Sequence, residues 1–111
     1  MALLPGYNDA IIPIPKIRDY ALNPLHPEGK HKAIVFKSAL GLTQQDYLWL
    51  IDEIYNGIAI IDAVEEENSS FGKRYHVDLF IRTDYNEAVI RTAWIIRNGE
   101  SYPSLTSCYV I

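Results

Sequence analysis

Arg74-Tyr75-His76-Val77-Asp78-Leu79-Phe80-Ile81-Arg82 decides the fold, because its side chains alternate in character with a period of two. Tyr75, Val77, Leu79 and Ile81 face one way, and Arg74, His76, Asp78, Phe80 and Arg82 the other. That is the pattern of a strand with one side on a core and one toward water. Asp84-Tyr85-Asn86 follows as a turn, and Glu87 to Arg97 alternates again. There Ile90, Thr92, Trp94 and Ile96 share a face, while Val89, Arg91, Ala93, Ile95 and Arg97 share the other. Asn98-Gly99 turns the chain once more, and Ser104 to Ile111 completes a meander. Upstream, Ile60 to Glu66 reads as one further strand, set off by the turn signal Asn68-Ser69-Ser70-Phe71-Gly72.

Before residue 58 the periodicity is helical. Thr43 is a good N-cap with Asp46 three residues on, and the helix it opens should run to Asn56-Gly57. Tyr47, Leu50, Ile51 and Ile54 fall on its apolar face, with Asp52, Glu53 and Asn56 opposite. Trp49 lands among the polar residues, where its ring either folds down over the helix or marks a contact surface. In the preceding stretch, Leu22-Asn23-Pro24-Leu25-His26-Pro27-Glu28-Gly29-Lys30-His31-Lys32-Ala33-Ile34-Val35-Phe36, the prolines hold Asn23 and His26 extended. A helix should therefore begin between Pro27 and Gly29 and run to about Leu40, closed by Gly41. Pro15 can open a short helix through Leu22 with Ile17, Tyr20 and Ala21 inward.

Residues 1 to 15 read as an extended arm, in which Pro5, Gly6, Pro13 and Pro15 prevent regular helix while Ile11, Ile12 and Ile14 supply apolar anchors. The expected architecture is thus α+β within a single domain, 1–111. The arm (1–15) precedes a helical part (16–57), which packs on one face of a C-terminal antiparallel sheet of about four strands (58–111).

With 111 residues, 49% of them hydrophobic, the chain can bury one core. Cys108 is alone, which excludes an internal disulfide and suits a reducing cytoplasm. The opening residues lack a basic segment followed by an apolar run, and no apolar run approaches the roughly 20 residues of a membrane helix. Neither secretion by a signal peptide nor membrane spanning is expected. Net charge is −4, but the charges are segregated: seven acids and no lysine or arginine lie between Asp46 and Glu67, whereas basic residues outnumber acids from Lys16 to Lys37 and from Lys73 to Arg97. Such a chain can carry a basic face despite an acidic total.

Lys32 is the most informative single residue. On a helical wheel it falls inside the arc of Ala33, Phe36 and Leu40 as extended by Val35 and Ala39. Burying an unpaired ammonium is costly, so either its head snorkels past the helix end or it is a placed cation that meets an anion. The face of the sheet opposite the core would present Arg74, His76, Asp78, Arg82, Arg91 and Arg97, a pattern that ordinary solvent exposure and cross-strand Asp–Arg pairing also produce. His26 and His31 are five apart across a proline-bounded helix start, which is not metal-ligand spacing, and Cys108 is in no paired motif. No metal and no cofactor are expected. There is no phosphate loop, dinucleotide glycine pattern or nucleophile elbow.

These residue types suit metal-independent RNA cleavage, in which a 2′-hydroxyl needs a base, the leaving 5′-oxygen an acid, and the phosphorane fixed cations. His26 can serve as acid or base. Lys32 and Arg91 can hold the phosphate, with Asn23, His31, His76 and Thr92 as further binding candidates. The rival class is a non-catalytic interaction module, an antitoxin-like or regulatory partner, that binds through Trp49 and the acidic stretch 62–67.

A longer pattern runs through the same positions: Leu22-Asn23-Pro24-x-His26-Pro27-x-Gly29-x-x-Lys32-Ala33-x-x-Phe36, then Gly41, Gly72-x-x-Tyr75-x-Val77-Asp78, Val89-x-Arg91-Thr92-x-Trp94 and Pro103-x-Leu105. Ser107 and Tyr109 then fit a Leu-x-Thr-x-Tyr ending, with serine in place of threonine. Over about residues 13 to 110 this resembles an uncharacterised bacterial domain family whose members are similar to toxin-associated domains grouped with the barnase, EndoU, colicin and RelE-like ribonucleases. The resemblance implies helices on one side of a sheet and a nucleic-acid site on the other. It also implies RNA as substrate, and an antitoxin or immunity protein as partner.

Overall fold

The computed structural model describes residues 2–111. Its sheet is a four-stranded antiparallel meander in the order β1-β2-β3-β4, with β1 at Val64–Glu65, β2 at Gly72–Arg82, β3 at Glu87–Arg97 and β4 at Ser104–Val110. The alternation read from the sequence sets its faces. Tyr75, Val77, Leu79 and Ile81 of β2 are buried, as are Ile90, Thr92 and Trp94 of β3. The helices precede the sheet in the chain and supply the other half of one hydrophobic core. Trp94 and Phe36 are its largest fully buried side chains, and burying a side chain of this kind stabilises the fold by about 1.5–3 kcal/mol.

Helix α1 (Ile14–Lys16) continues directly into a π-helical turn, Ile17–Ala21. Helix α2 spans Lys30–Leu40 and buries Ala33, Phe36 and Leu40. It begins one residue later than the prolines suggest, because residues 27–29 form a turn. Gly41 closes it in the left-handed conformation, φ 69°. Thr43 and Asp46 form the expected capping box, but its first turn, Gln44–Asp46, is a 3₁₀ turn that leads into α3, Tyr47–Ile58. None of these helices is long and apolar enough to cross a membrane.

Two expectations need correction. Of the strand expected over 60–66, only Val64–Glu65 pairs with β2. The N–H groups of Ile60 and Ile61 both donate to Gly57 O as a last turn of α3, which removes them from any sheet. The arm docks, but its anchors are Leu4, Ala10 and Ile12, while Ile11 and Ile14 are exposed. Ile11 donates its N–H to Pro103 O and accepts from Leu105 N, so it pairs beside β4 in an extended conformation. Alternation then turns Ile12 inward and Ile11 outward.

Candidate functional site

The proline-bounded loop before α2 is held by its own side chains. Asn23 Oδ1 accepts from Leu25 N, Asn23 Nδ2 donates to Asp19 O, and His26 Nδ1 accepts from the backbone N–H groups of Glu28 and Gly29 at 3.0 and 2.9 Å. His26 thus takes the place of a capping oxygen for a turn whose donors lack helical partners. The neutral ring therefore carries its proton on Nε2. The imidazole stands edge-on to the Tyr20 ring, with centroids 4.7 Å apart. Tyr20 belongs to the π-helical turn, a geometry that recurs at functional sites. Arg18 and Asp19, in the same turn, form a bidentate pair, and Gln44 Nε2 donates to Arg18 O.

On the sheet, one row of register partners crosses three strands: Asp78 on β2, Arg91 on β3 and Tyr109 on β4. Arg91 Nε and Nη2 donate to the two Asp78 carboxylate oxygens at 2.8 and 2.9 Å. These hydrogen bonds hold the Asp78 carboxyl below the usual carboxylate range against the opposing effect of partial burial, with help from the charges of Arg91 and His76. The same bonds raise Arg91, and Tyr109 adds to the effect.

A β-bulge puts Tyr109 in that row. Leu105 pairs with Trp94 and Ser107 with Ala93, so Thr106 is an extra residue, its hydroxyl donating to Ala93 O. Without the bulge, regular pairing from Leu105 would set Tyr109 opposite Ile90 in the core and Cys108 beside Arg91. With it, Cys108 is buried opposite Thr92 and Tyr109 lies next to Arg91.

Lys32 joins the two halves. From the first turn of α2 its Nζ stands 4.8 Å from the centre of the Tyr20 ring and 5.6 Å from that of Tyr109, both within cation–π range. The half-buried ammonium meets two aromatic faces, and it forms no ion pair among the described residues. Its charge also reaches Cys108, whose thiol burial pushes up to about 12 while Lys32 acts in the opposite direction. His26, Lys32 and Arg91 are therefore linked by a chain of contacts through Tyr20 and Tyr109. The two tyrosines were not among the candidates from the sequence, although Tyr20 sits at an inward position and Tyr109 closes the family-like pattern.

Other candidates fall elsewhere. Thr92 is fully buried, donating its hydroxyl to Val77 O and accepting from Trp94 Nε1, so its role is in the core rather than at a binding surface. Asn23 serves its loop, as described. His31 is exposed on α2. His76 Nδ1 lies 2.9 Å from Glu66 Oε2, on the open face near Asp78. That face is less basic than its residue list implies, since Arg91, Arg82 and Arg97 are paired with Asp78, Glu87 and Glu100. Among the described residues no group of three or more His, Cys, Asp or Glu side chains could hold a metal ion. Three grooves, of about 450 to 600 Å³, border α2; one reaches Leu22 and Pro24 of the loop before the helix, but His26, Lys32 and Arg91 line none of the three.

Comparison with known proteins gives one positive result. No curated protein and no solved structure matched the chain. A family model described as a domain of unknown function, DUF6883, matches residues 3–111, which takes in the arm, the helices and every strand. The chain belongs to the DUF6883 family.

Proposed function

We propose that this domain is a metal-independent ribonuclease whose site is the cluster of His26, Tyr20, Lys32, Tyr109 and Arg91. The observation that carries this reading is the Lys32 ammonium, half-buried against two tyrosine rings and without a carboxylate partner. A cation kept this way retains its attraction for an anion from solution, because no internal acid neutralises it. Arg91 spends Nε and Nη2 on Asp78, which leaves Nη1 for a second contact to the same phosphate.

The reaction is transesterification. The 2′-oxygen attacks phosphorus as a base takes its proton, the bond from phosphorus to the 5′-oxygen breaks, and an acid protonates that oxygen. The products are a 2′,3′-cyclic phosphate and a 5′-hydroxyl. Because His26 Nδ1 accepts from the Glu28 and Gly29 N–H groups, the neutral imidazole keeps its proton on Nε2 and donates that N–H to a phosphate oxygen. The Tyr109 hydroxyl, beside Arg91, is positioned to hydrogen-bond the phosphate. Lys32 and Arg91 stabilise the charge that builds on the phosphorane oxygens.

The test is cleavage of a mixed-sequence RNA with a chelator present, alongside thermal melting. Lys32→Met should reduce cleavage by about a hundredfold or more while the melting temperature holds or rises, because an unpaired charge is replaced by a methionine of similar length. His26→Ala and Tyr109→Phe should each lose activity, and RNA binding should weaken steeply with salt as counterion release requires. Full activity in the Lys32→Met protein, or no cleavage by the wild type, overturns the reading.

A further inference from the structure

A second concavity lies at the other end of α2 from Lys32. Between the end of that helix, the first turn of α3 and the β2–β3 turn runs a groove of about 550 Å³ whose lining includes Trp49, Tyr85, Asp46 and Asp84. Trp49 is 39% exposed and Tyr85 67%, so two large aromatic faces are open to solvent in one concavity. The tryptophan that the sequence offers as a contact residue of an interaction module therefore lines a groove.

The wall of this groove is preformed. Thr83 Oγ1 donates to Leu40 O at 2.7 Å and accepts from the N–H groups of Tyr85 and Asn86, which fixes the turn to the end of α2. Tyr85 packs on Gly41, where an added Cβ would come 3.0 Å from the Tyr85 Cβ and 3.1 Å from its ring. A ligand would meet a surface that needs little ordering on binding.

The charges are one-sided. Arg82, the cation in the lining, donates from both Nε and Nη2 to Glu87 Oε2 and is thereby neutralised. Asp46 uses Oδ2 for Thr43 and keeps Oδ1, while Asp84 makes no hydrogen bond or ion pair among the described residues. Lys37 stands in an adjoining groove that shares Gly41 and Tyr85, not in this one. From Asp46 onward, α3 adds Asp52 and Glu53 and no lysine or arginine.

Aromatic faces combined with an unpaired carboxylate suit an organic cation on an apolar stem. A guanidinium fits better than an ammonium, because it is planar, weakly hydrated and able to stack on tryptophan. We propose that the groove is a docking site for a basic segment of a partner protein, with an arginine side chain against Trp49 and Tyr85 and its charge on Asp84. The site is separate from the Lys32 cluster and of opposite electrostatic sense, so a peptide held here leaves the RNA site free.

The probe is a capped Gly-Arg-Gly-Arg-Gly peptide, with glutamate and leucine versions as controls, followed by calorimetry and by tryptophan emission, in which Trp94, buried in the core, contributes a constant background. The arginine peptide should bind saturably and shift the Trp49 emission. Affinity should fall about fivefold or more in Asp84→Asn and in Trp49→Leu, fall with added salt, and stay unchanged in Lys32→Met. Asp84→Asn is an exposed, near-isosteric change, so it keeps the test valid even if Trp49→Leu perturbs folding. Equal binding of the glutamate or leucine peptide, undiminished affinity in Asp84→Asn, or no saturable binding overturns the proposal.

Discussion

Gly29 abuts the backbone of Tyr20: a Cβ built on Gly29 would lie 2.3 Å from the Tyr20 carbonyl oxygen. The contact brings the entrance of α2 against the π-helical turn, and so sets where Lys32 meets the Tyr20 ring. Gly29 has a φ of −80°, so the need for glycine is steric and not conformational. Gly29→Ala should lower stability by about 2 kcal/mol and also impair RNA cleavage, because the clash is with backbone that cannot rotate away. A chemical denaturation curve unchanged from wild type would show that the contact relaxes freely.

The Asp78–Arg91 pair should leave a signature in acid. Its folded carboxyl lies below the unfolded reference of about 3.9, so the stability it adds is fully present above that value and is lost as pH falls through the folded one. Each side chain is about a third exposed, which limits the contribution to under about 1 kcal/mol. The difference in stability between wild type and Asp78→Asn should be constant from about pH 5 to about pH 8 and vanish in stronger acid. Asp78→Asn also frees Arg91, so RNA affinity at low salt should rise. Denaturant titrations over pH, with RNA binding at neutral pH, check both outcomes.

Thr92→Val should cost about 1–3 kcal/mol, since an isosteric methyl leaves the buried Trp94 Nε1–H without its acceptor and Val77 O without its donor. A change in Trp94 emission should accompany the loss. Retained stability would mean that water or another group fills the gap.

Cys108 should be inert in the folded protein. Its thiol is buried and pushed up to about 12 by that burial, and the reactive species is the thiolate. Labelling with an aromatic disulfide reagent at about pH 8 should be slow in buffer and complete in denaturant. Rapid labelling of the native protein would contradict the packing of β4.

The sheet was legible because two long segments alternate without interruption, and alternation is a direct imprint of one buried face. Glu87 to Arg97 even disclosed that Thr92 shares a face with Ile90 and Trp94, though not that its hydroxyl is consumed there. The helix ends were legible from single residues, Thr43 with Asp46 and Gly41, whose capping geometry is local. What escaped notice depends on contacts distant in sequence. The bulge at Thr106 leaves no trace in a heptapeptide of mixed character, yet it decides whether Tyr109 faces Arg91 or the core. Ile60 and Ile61 looked like strand because they are β-branched, but Gly57 O holds them in the tail of α3. Lys32 was conspicuous as a charge in an apolar arc. Its aromatic partners come from residues 20 and 109, which only the fold brings together.

The extended pairing of Ile11 has a consequence for self-association. Strand β4 is the last of the sheet, and the outer edge of a terminal strand is a template on which another molecule's strand can grow. The arm occupies that template at the Pro103–Leu105 end with one donor and one acceptor of Ile11. A foreign strand entering there would have to displace both bonds and lift Ile12 out of the core. The arm thus acts as a chain terminator for sheet growth, and damage to it should first appear as oligomers and turbidity under conditions where the helices and the inner strands are still intact.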